Sequence, residues 1–136
     1  MSTMISTEEV GWKTSEYIDT SDEEGKLQQH LVKVADYVIG PGQNSERARV
    51  KGEKTYIGAY EYAPGGYITE HSHRSYEQWY YILKGKALMK IGNEEEVVEK
   101  GYVVFIPRNT VHSYRVIGDE PLRFLNVAAL VTVSKF

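Results

Sequence analysis

The sequence predicts an all-β domain, a small sandwich or barrel of short antiparallel strands. Runs rich in β-branched and aromatic residues recur at spacings of ~8–12 residues. Turn-forming clusters separate them: Gly40-Pro41-Gly42, Pro64-Gly65-Gly66, Lys84-Gly85-Lys86 and Gly92-Asn93-Glu94. The chain has 136 residues, 41% of them hydrophobic and 26% charged. That suits one domain with its own core.

In chain order, residues 1–25 are polar and end in the acidic, loop-like run Thr20-Ser21-Asp22-Glu23-Glu24-Gly25. They read as a flexible lead-in with room for one strand that pairs elsewhere, ahead of a barrel domain over 26–136. Leu27 to Ile39 fits two patterns: Leu27, Leu31, Val34 and Val38 make a helical face, whereas Leu31-Val32, Val34 and Tyr37-Val38-Ile39 suit strands. Tyr56–Tyr62 is β-rich and stops at Pro64. Gln78–Leu83 is the most strand-like run, and Lys84-Gly85 turns it into Ala87–Ile91. Glu95–Glu99 follows as a hairpin partner, with Glu94-Glu95-Glu96 as its solvated tip. Tyr102–Ile106 stops at Pro107, and Val111–Val116 and Leu122–Val133 supply the last strands.

The formal net charge is −3, with Lys and Arg scattered among the acids. Neither nucleic acid nor an anionic membrane is expected as a partner. There is no cysteine, which excludes disulfides, thiolate catalysis and Cys-ligated zinc. Met1–Trp12 lacks a basic run followed by an apolar one, and no stretch reaches the ~18 apolar residues of a spanning helix. A soluble, cytoplasmic protein is expected. Eleven tyrosines are many for this length; they suit half-buried strands and can line a polar pocket.

The residues that carry chemistry are His71-Ser72-His73. In a strand, residues two apart project from one face, so two imidazoles can converge on one ion. Neutral imidazole nitrogen suits Fe, Ni, Zn, Cu, Co or Mn. The neighbouring spacing extends this. Gly65 lies six positions before His71, four residues separate His73 from Gln78, and six separate Gln78 from Gly85. Downstream, Gly101 and Pro107 enclose five residues, and His112 stands five after Pro107. These residues resemble both halves of the two-part cupin motif, G-x5-H-x-H-x3–4-E-x6-G and G-x5-P-x-G-x2-H-x3-N.

The resemblance implies a cupin-type double-stranded β-helix (jelly roll) with an N-terminal extension. It also implies one divalent transition metal, iron first and then nickel, manganese or zinc, held by His71, His73, His112 and a fourth ligand. At the family's Glu position the count back from Gly85 gives Gln78. Glu77 takes that place only if the spacing after His73 shortens, and the count to Gly85 is then one too long. The glycine turn and strand 79–83 favour Gln78. A three-His, one-Gln set leaves the site at +2, which favours an anionic substrate such as a carboxylate or enolate. Asn109 stands where the motif has Gly, a mild change at a left-handed position, and Val116 replaces its Asn.

If Gln78 points inward, Tyr80 and Ile82 do too, and Trp79 and Tyr81 point outward. Likewise Tyr114 follows His112. Tyr80, two residues from the ligand position, is the candidate catalytic or substrate-binding phenol. Tyr60 and Tyr62 share a face whose direction the sequence leaves open. Arg115 and Arg123 could meet an anionic substrate but read first as exposed, and His30 reads as a surface residue. The resemblance implies a metal-dependent enzyme on a small organic molecule, expected to be anionic, with a dioxygenase expected first. A non-redox lyase or isomerase is the next reading, similar to dimethylsulfoniopropionate lyases or sugar-acid cupins, and a non-catalytic binding cupin the last. Outward Trp79 and Tyr81 suit a homodimer interface.

Overall fold

The computed structural model describes residues 3–19, 28–44, 48, 50–131 and 135–136. Its strands are β1 (Lys13–Asp19), β2 (Gln28–Ile39), β3 (Val50–Lys51), β4 (Thr55–Tyr62), β5 (Tyr67–His71), β6 (Tyr76–Lys84), β7 (Lys86–Ile91), β8 (Glu94–Glu99), β9 (Val103–Ile106), β10 (His112–Ile117) and β11 (Leu122–Leu130). They form two sheets. The larger runs β1-β2-β4-β11-β6-β9, with β3 beside β2; the smaller runs β5-β10-β7-β8. All pairings are antiparallel except β2 with β3. This is the all-β jelly roll expected. No helix occurs among the described residues, so none is long and apolar enough to cross a membrane.

The core lies between the sheets. Val32, Val34, Ile82, Leu122 and Phe124 from the larger sheet meet Ala87, Met89, Val98, Tyr114 and Val116 from the smaller. Alternation along β6 puts Gln78, Tyr80 and Ile82 inside and leaves Trp79 and Tyr81 43% and 46% exposed.

The ambiguous segment 27–39 resolves as strand from Gln28 onward. Both faces of β2 are covered: Val32 and Val34 face the core, while Ala35 and Tyr37 pack under Val10, Trp12 and Ile5 of the N-terminal segment. A strand buried on both sides loses its period-2 pattern, which is why its apolar residues also fit a helical face. Lys13–Asp19, within the polar lead-in, pairs with β2 as an edge strand. The acidic run 20–25 and Leu27 lie outside the described residues, as does the side chain of His30.

Two glycines shape the ends of β6 and β7. Gly85 has φ 81°, and a Cβ there would lie 2.2 Å from the Pro121 carbonyl oxygen, so the β6–β7 turn fits against the loop that leads into β11 only without a side chain. Gly92, at φ 59°, opens the two-residue β7–β8 hairpin. The exposed acids of Glu94–Glu96 follow it.

Candidate metal centre

Three local devices bring the histidines together. β5 ends at His71 and β10 begins at His112, and these two residues are register partners. The register then slips: Tyr114 faces Ile68, so β5 carries one extra residue between the two pairs. Such a bulge re-aims the side chains beside it. His73 lies just past the strand, in the loop before β6. Its carbonyl accepts a 2.7 Å hydrogen bond from the Asn109 amide. Asn109, at φ 63°, is the only non-glycine residue of positive φ among those described. The left-handed turn after Pro107 thus ties the second motif half to the first.

The ligand-capable atoms of His71, His73 and His112 lie within 4.8 Å of one another. The His71 and His112 rings are 4.1 Å apart between centroids, and the His73 ring stacks on Tyr76 at 4.4 Å. His71 Nδ1 meets the Thr69 carbonyl at 2.7 Å, and His112 Nδ1 meets that of Thr110 at 2.9 Å. A carbonyl can only accept, so each Nδ1 carries the proton and each Nε2 keeps a free lone pair. This is the arrangement that orients an imidazole toward a metal.

Burial pushes the His73 pKa down to about 4, aided by the charges of His71 and His112. Burial likewise lowers His112 to about 4, the Thr110 hydrogen bond opposing it and His71 assisting. Both are therefore neutral, ligand-competent imidazoles at pH 7.

The fourth sequence candidate, Gln78, lines the same cavity as His71 and His73, and Glu77 does not. Gln78 Nε2 donates to Asn126 Oδ1 at 3.3 Å. Gln78 Oε1 and His112 Nε2 are both buried without a hydrogen-bond partner. Two orphaned acceptors beside clustered imidazoles fit a divalent cation, to which imidazole nitrogen and amide oxygen both present lone pairs.

The cavity is about 260 Å³, with walls that include Tyr60, Tyr62, Tyr76, Tyr80 and Tyr114. Tyr60 and Tyr62 therefore face inward. Tyr80 is buried, 4.5 Å from the Phe124 ring centroid and edge-on to Tyr114. Burial raises the pKa of Tyr60, Tyr80 and Tyr114, and that of Tyr76 to about 12, so these phenols hold their protons at neutral pH. Arg123 lies outside the cavity, paired with Glu61 at 2.5 Å and over the Trp12 ring. Arg115 is exposed over Tyr67.

Sequence reasoning missed Asp36, Tyr56 and Asn126. Tyr56 and Asn126 line the cavity, and Asp36 is buried against the Tyr56 hydroxyl. A signal for Asn126 existed: it shares the inward parity of Leu122, Phe124 and Ala128 on β11, a polar residue in an otherwise apolar row.

Among curated proteins, the chain is 44% identical over 55 residues to the uncharacterised protein MJ1618 of Methanocaldococcus jannaschii, covering 40% of this chain and 44% of that one. It is 29% identical over 68 residues to the tetracenomycin polyketide synthase protein TcmJ of Streptomyces glaucescens, covering 50% and 46%. The matches thus span less than half the length of either relative. Among solved structures, a predicted oxalate decarboxylase from Thermotoga maritima superposes with TM-score 0.69 at 22% identity, covering 95% of this chain and all of that one. A structure from a study of the dimethylsulfoniopropionate lyases RdDddP and RnDddQII superposes with TM-score 0.64 at 20% identity, covering 88% of this chain and 56% of that one. At these identities the likeness is one of fold. The family model for the cupin domain matches residues 58–128, just over half of the chain and both halves of the histidine constellation, and the protein belongs to the cupin family.

Proposed function

We propose that this cupin is a metal-dependent enzyme acting on a small anionic organic substrate, with dioxygen chemistry on iron as its first reading. The observation that carries it is a candidate donor set without a carboxylate. His71, His73, His112 and the unpartnered Gln78 Oε1 supply lone pairs without a carboxylate. A divalent ion held by them keeps its full +2 charge in a buried site, and a carboxylate or enolate is the natural counter-charge. A bound iron supplies one-electron chemistry with dioxygen, whereas nickel, manganese or zinc supplies polarisation of a carbonyl or carboxylate. Tyr80, buried and protonated, serves as a hydrogen-bond donor or proton holder toward that substrate.

A second reading is a non-redox lyase, decarboxylase or isomerase. It is favoured by the protonated phenols of Tyr60, Tyr76 and Tyr80 around one cavity, and it agrees with the descriptions of the two structural neighbours. The test is metal analysis of the purified protein followed by an oxygen-uptake screen over small carboxylic acids. Iron with oxygen consumption supports the first reading. Turnover without oxygen selects the second. Ligand binding with no turnover leaves a binding module.

We also propose a homodimer through the outer face of β6 and β9. There Trp79, Tyr81, Val103 and Phe105 are exposed, with Trp79 and Phe105 in ring contact at 4.5 Å. The adjoining part of the same sheet face is covered by the chain's own Val10, Trp12 and Ile5, so an apolar cover over the remainder is physically consistent. Light scattering that gives a monomer at micromolar concentration refutes this.

A further inference from the structure

Four polar residues are buried among those described: Asp36, Gln78, His112 and Asn126. His112 belongs to the metal corner. The other three belong to one hydrogen-bonded chain that crosses the larger sheet. Asp36 on β2 is the register partner of Gly58 on β4; Gly58 pairs with Asn126 on β11, and Asn126 with Tyr80 on β6.

The sense of each link can be read from its chemistry. Asp36 Oδ2 meets Lys13 Nζ at 3.1 Å, and its Oδ1 accepts the Tyr56 hydroxyl at 2.6 Å. A phenol has one proton, and that of Tyr56 is committed to Asp36. The two phenol oxygens lie 3.4 Å apart; with the Tyr56 proton on Asp36, a hydrogen bond between them requires the Tyr60 proton. The Tyr60 oxygen is then the acceptor for the Asn126 amide nitrogen. With its nitrogen so engaged, Asn126 turns Oδ1 to Gln78 and accepts from Nε2 at 3.3 Å. What remains is Gln78 Oε1, buried and unpartnered. The backbone makes room for this chain: a Cβ on Gly58 would lie 2.2 Å from the Tyr56 hydroxyl oxygen.

We propose that Asp36, acting through Tyr56, Tyr60 and Asn126, sets the orientation of the Gln78 side-chain amide so that its oxygen, not its nitrogen, is available as the fourth metal ligand. This rests on the metal-binding reading above. An amide at this corner has a problem a carboxylate lacks. Its two ends are nearly isosteric, and the –NH2 end presents protons to a cation. A carboxylate at the far end can only accept, so it imposes one direction on every link. Asp36, Tyr56, Tyr60 and Asn126 are positioning residues in this scheme.

The test is a double-substitution cycle read by the affinity of the metal-free protein for zinc alone, measured by competition with a chromophoric chelator. Asp36→Asn and Tyr56→Phe each weaken zinc binding by about 10- to 100-fold, the range typical of groups that orient a ligand. Tyr56→Phe keeps the ring and reads the same chain should Asp36→Asn fail to fold. In the Gln78→Glu background either carboxylate oxygen can bind, and the same two substitutions change the affinity by no more than about twofold. Equal losses in both backgrounds would mean a merely structural role and would overturn the proposal. So would undiminished binding in the Gln78 background. A parent protein that binds no divalent metal is a separate result, and it removes the metal reading itself.

Discussion

Replacing His112 by alanine tests the metal corner most directly, because its expected effect separates metal binding from folding. His112 is 1% exposed, so truncation forfeits packing worth about 2–4 kcal/mol. It also removes the buried, unpartnered Nε2, a group whose burial costs about 1–3 kcal/mol. The two effects oppose each other, leaving the metal-free variant within about 3 kcal/mol of the parent. A domain stable by about 5–15 kcal/mol stays folded. The metal response differs sharply. Free metal at about 100 times Kd adds about 2.7 kcal/mol to the parent. With an unfolding entropy of about 2.1 cal/mol/K per residue over 136 residues, that raises Tm by about 9 °C. Losing one of four ligands weakens binding at least as much as losing a group that merely orients one, about 100-fold at its upper end. The same metal concentration then adds about 0.4 kcal/mol, a rise of about 1–2 °C. The assay is thermal unfolding of chelator-treated protein with and without added metal, paired with metal content after dialysis. If His71→Ala and His112→Ala both keep a Tm rise within about 2 °C of the parent's, the assignment of the site is wrong.

Three further outcomes follow from the same geometry. Gln78→Glu retains metal at least as well as the parent, while Glu77→Gln leaves metal content unchanged because Glu77 does not line the cavity; dialysis and metal analysis of both variants check this. In the metal-free protein, His73 and His112 titrate near 4, against 6.5 when unfolded. The unfolded chain therefore binds more protons between those values, and stability falls as pH drops from about 6.5 toward 4 while staying flat above that window. Urea midpoints at several pH values read this, and a His112→Gln variant with an undiminished slope would count against it. Gly85→Ala places a Cβ 2.2 Å from the Pro121 oxygen at φ 81°, a cost of about 2–4 kcal/mol by urea denaturation; a loss below about 1 kcal/mol would show that the β6–β7 turn yields easily.

Much of the metal corner was legible because it is written at short range. His71 and His73 are two apart, Gln78 is set by its distance to the Gly85 turn, and Asn109 takes the left-handed position before His112. Alternation then placed Tyr80 and Tyr114 inside. What the sequence did not reveal depends on which strands become neighbours. Asp36, Gly58, Asn126 and Tyr80 form one rank across β2, β4, β11 and β6, strands far apart in the chain, and no local pattern encodes that order. The direction of Tyr60 and Tyr62 was open for the same reason. β2 was ambiguous because the N-terminal residues cover its second face, a tertiary contact that erases the alternation a sequence reader depends on.

Charge decides what such a corner can attract. Several acids of the described structure are already matched. Asp36 faces Lys13 and the Tyr56 hydroxyl, Glu61 is held by Arg123, and Glu70 is exposed beside Lys90. His73 and His112 are neutral, the fourth candidate is an amide, and the surrounding phenols keep their protons. A divalent ion here would therefore lie in a low-dielectric pocket without a first-sphere anion from the protein, where an uncompensated charge is costly. The compensation has to arrive with the ligand. Carboxylates and enolates should accordingly bind the loaded protein far better than the metal-free one, and neutral isosteres of the same shape should not distinguish the two. By the same logic the Gln78→Glu protein, supplied with its own anion, should hold metal well and anionic ligands less tightly. On the reading proposed above, an amide in place of a carboxylate at this position would trade metal affinity for substrate affinity, and the proposed chain back to Asp36 would let a neutral ligand present the correct end.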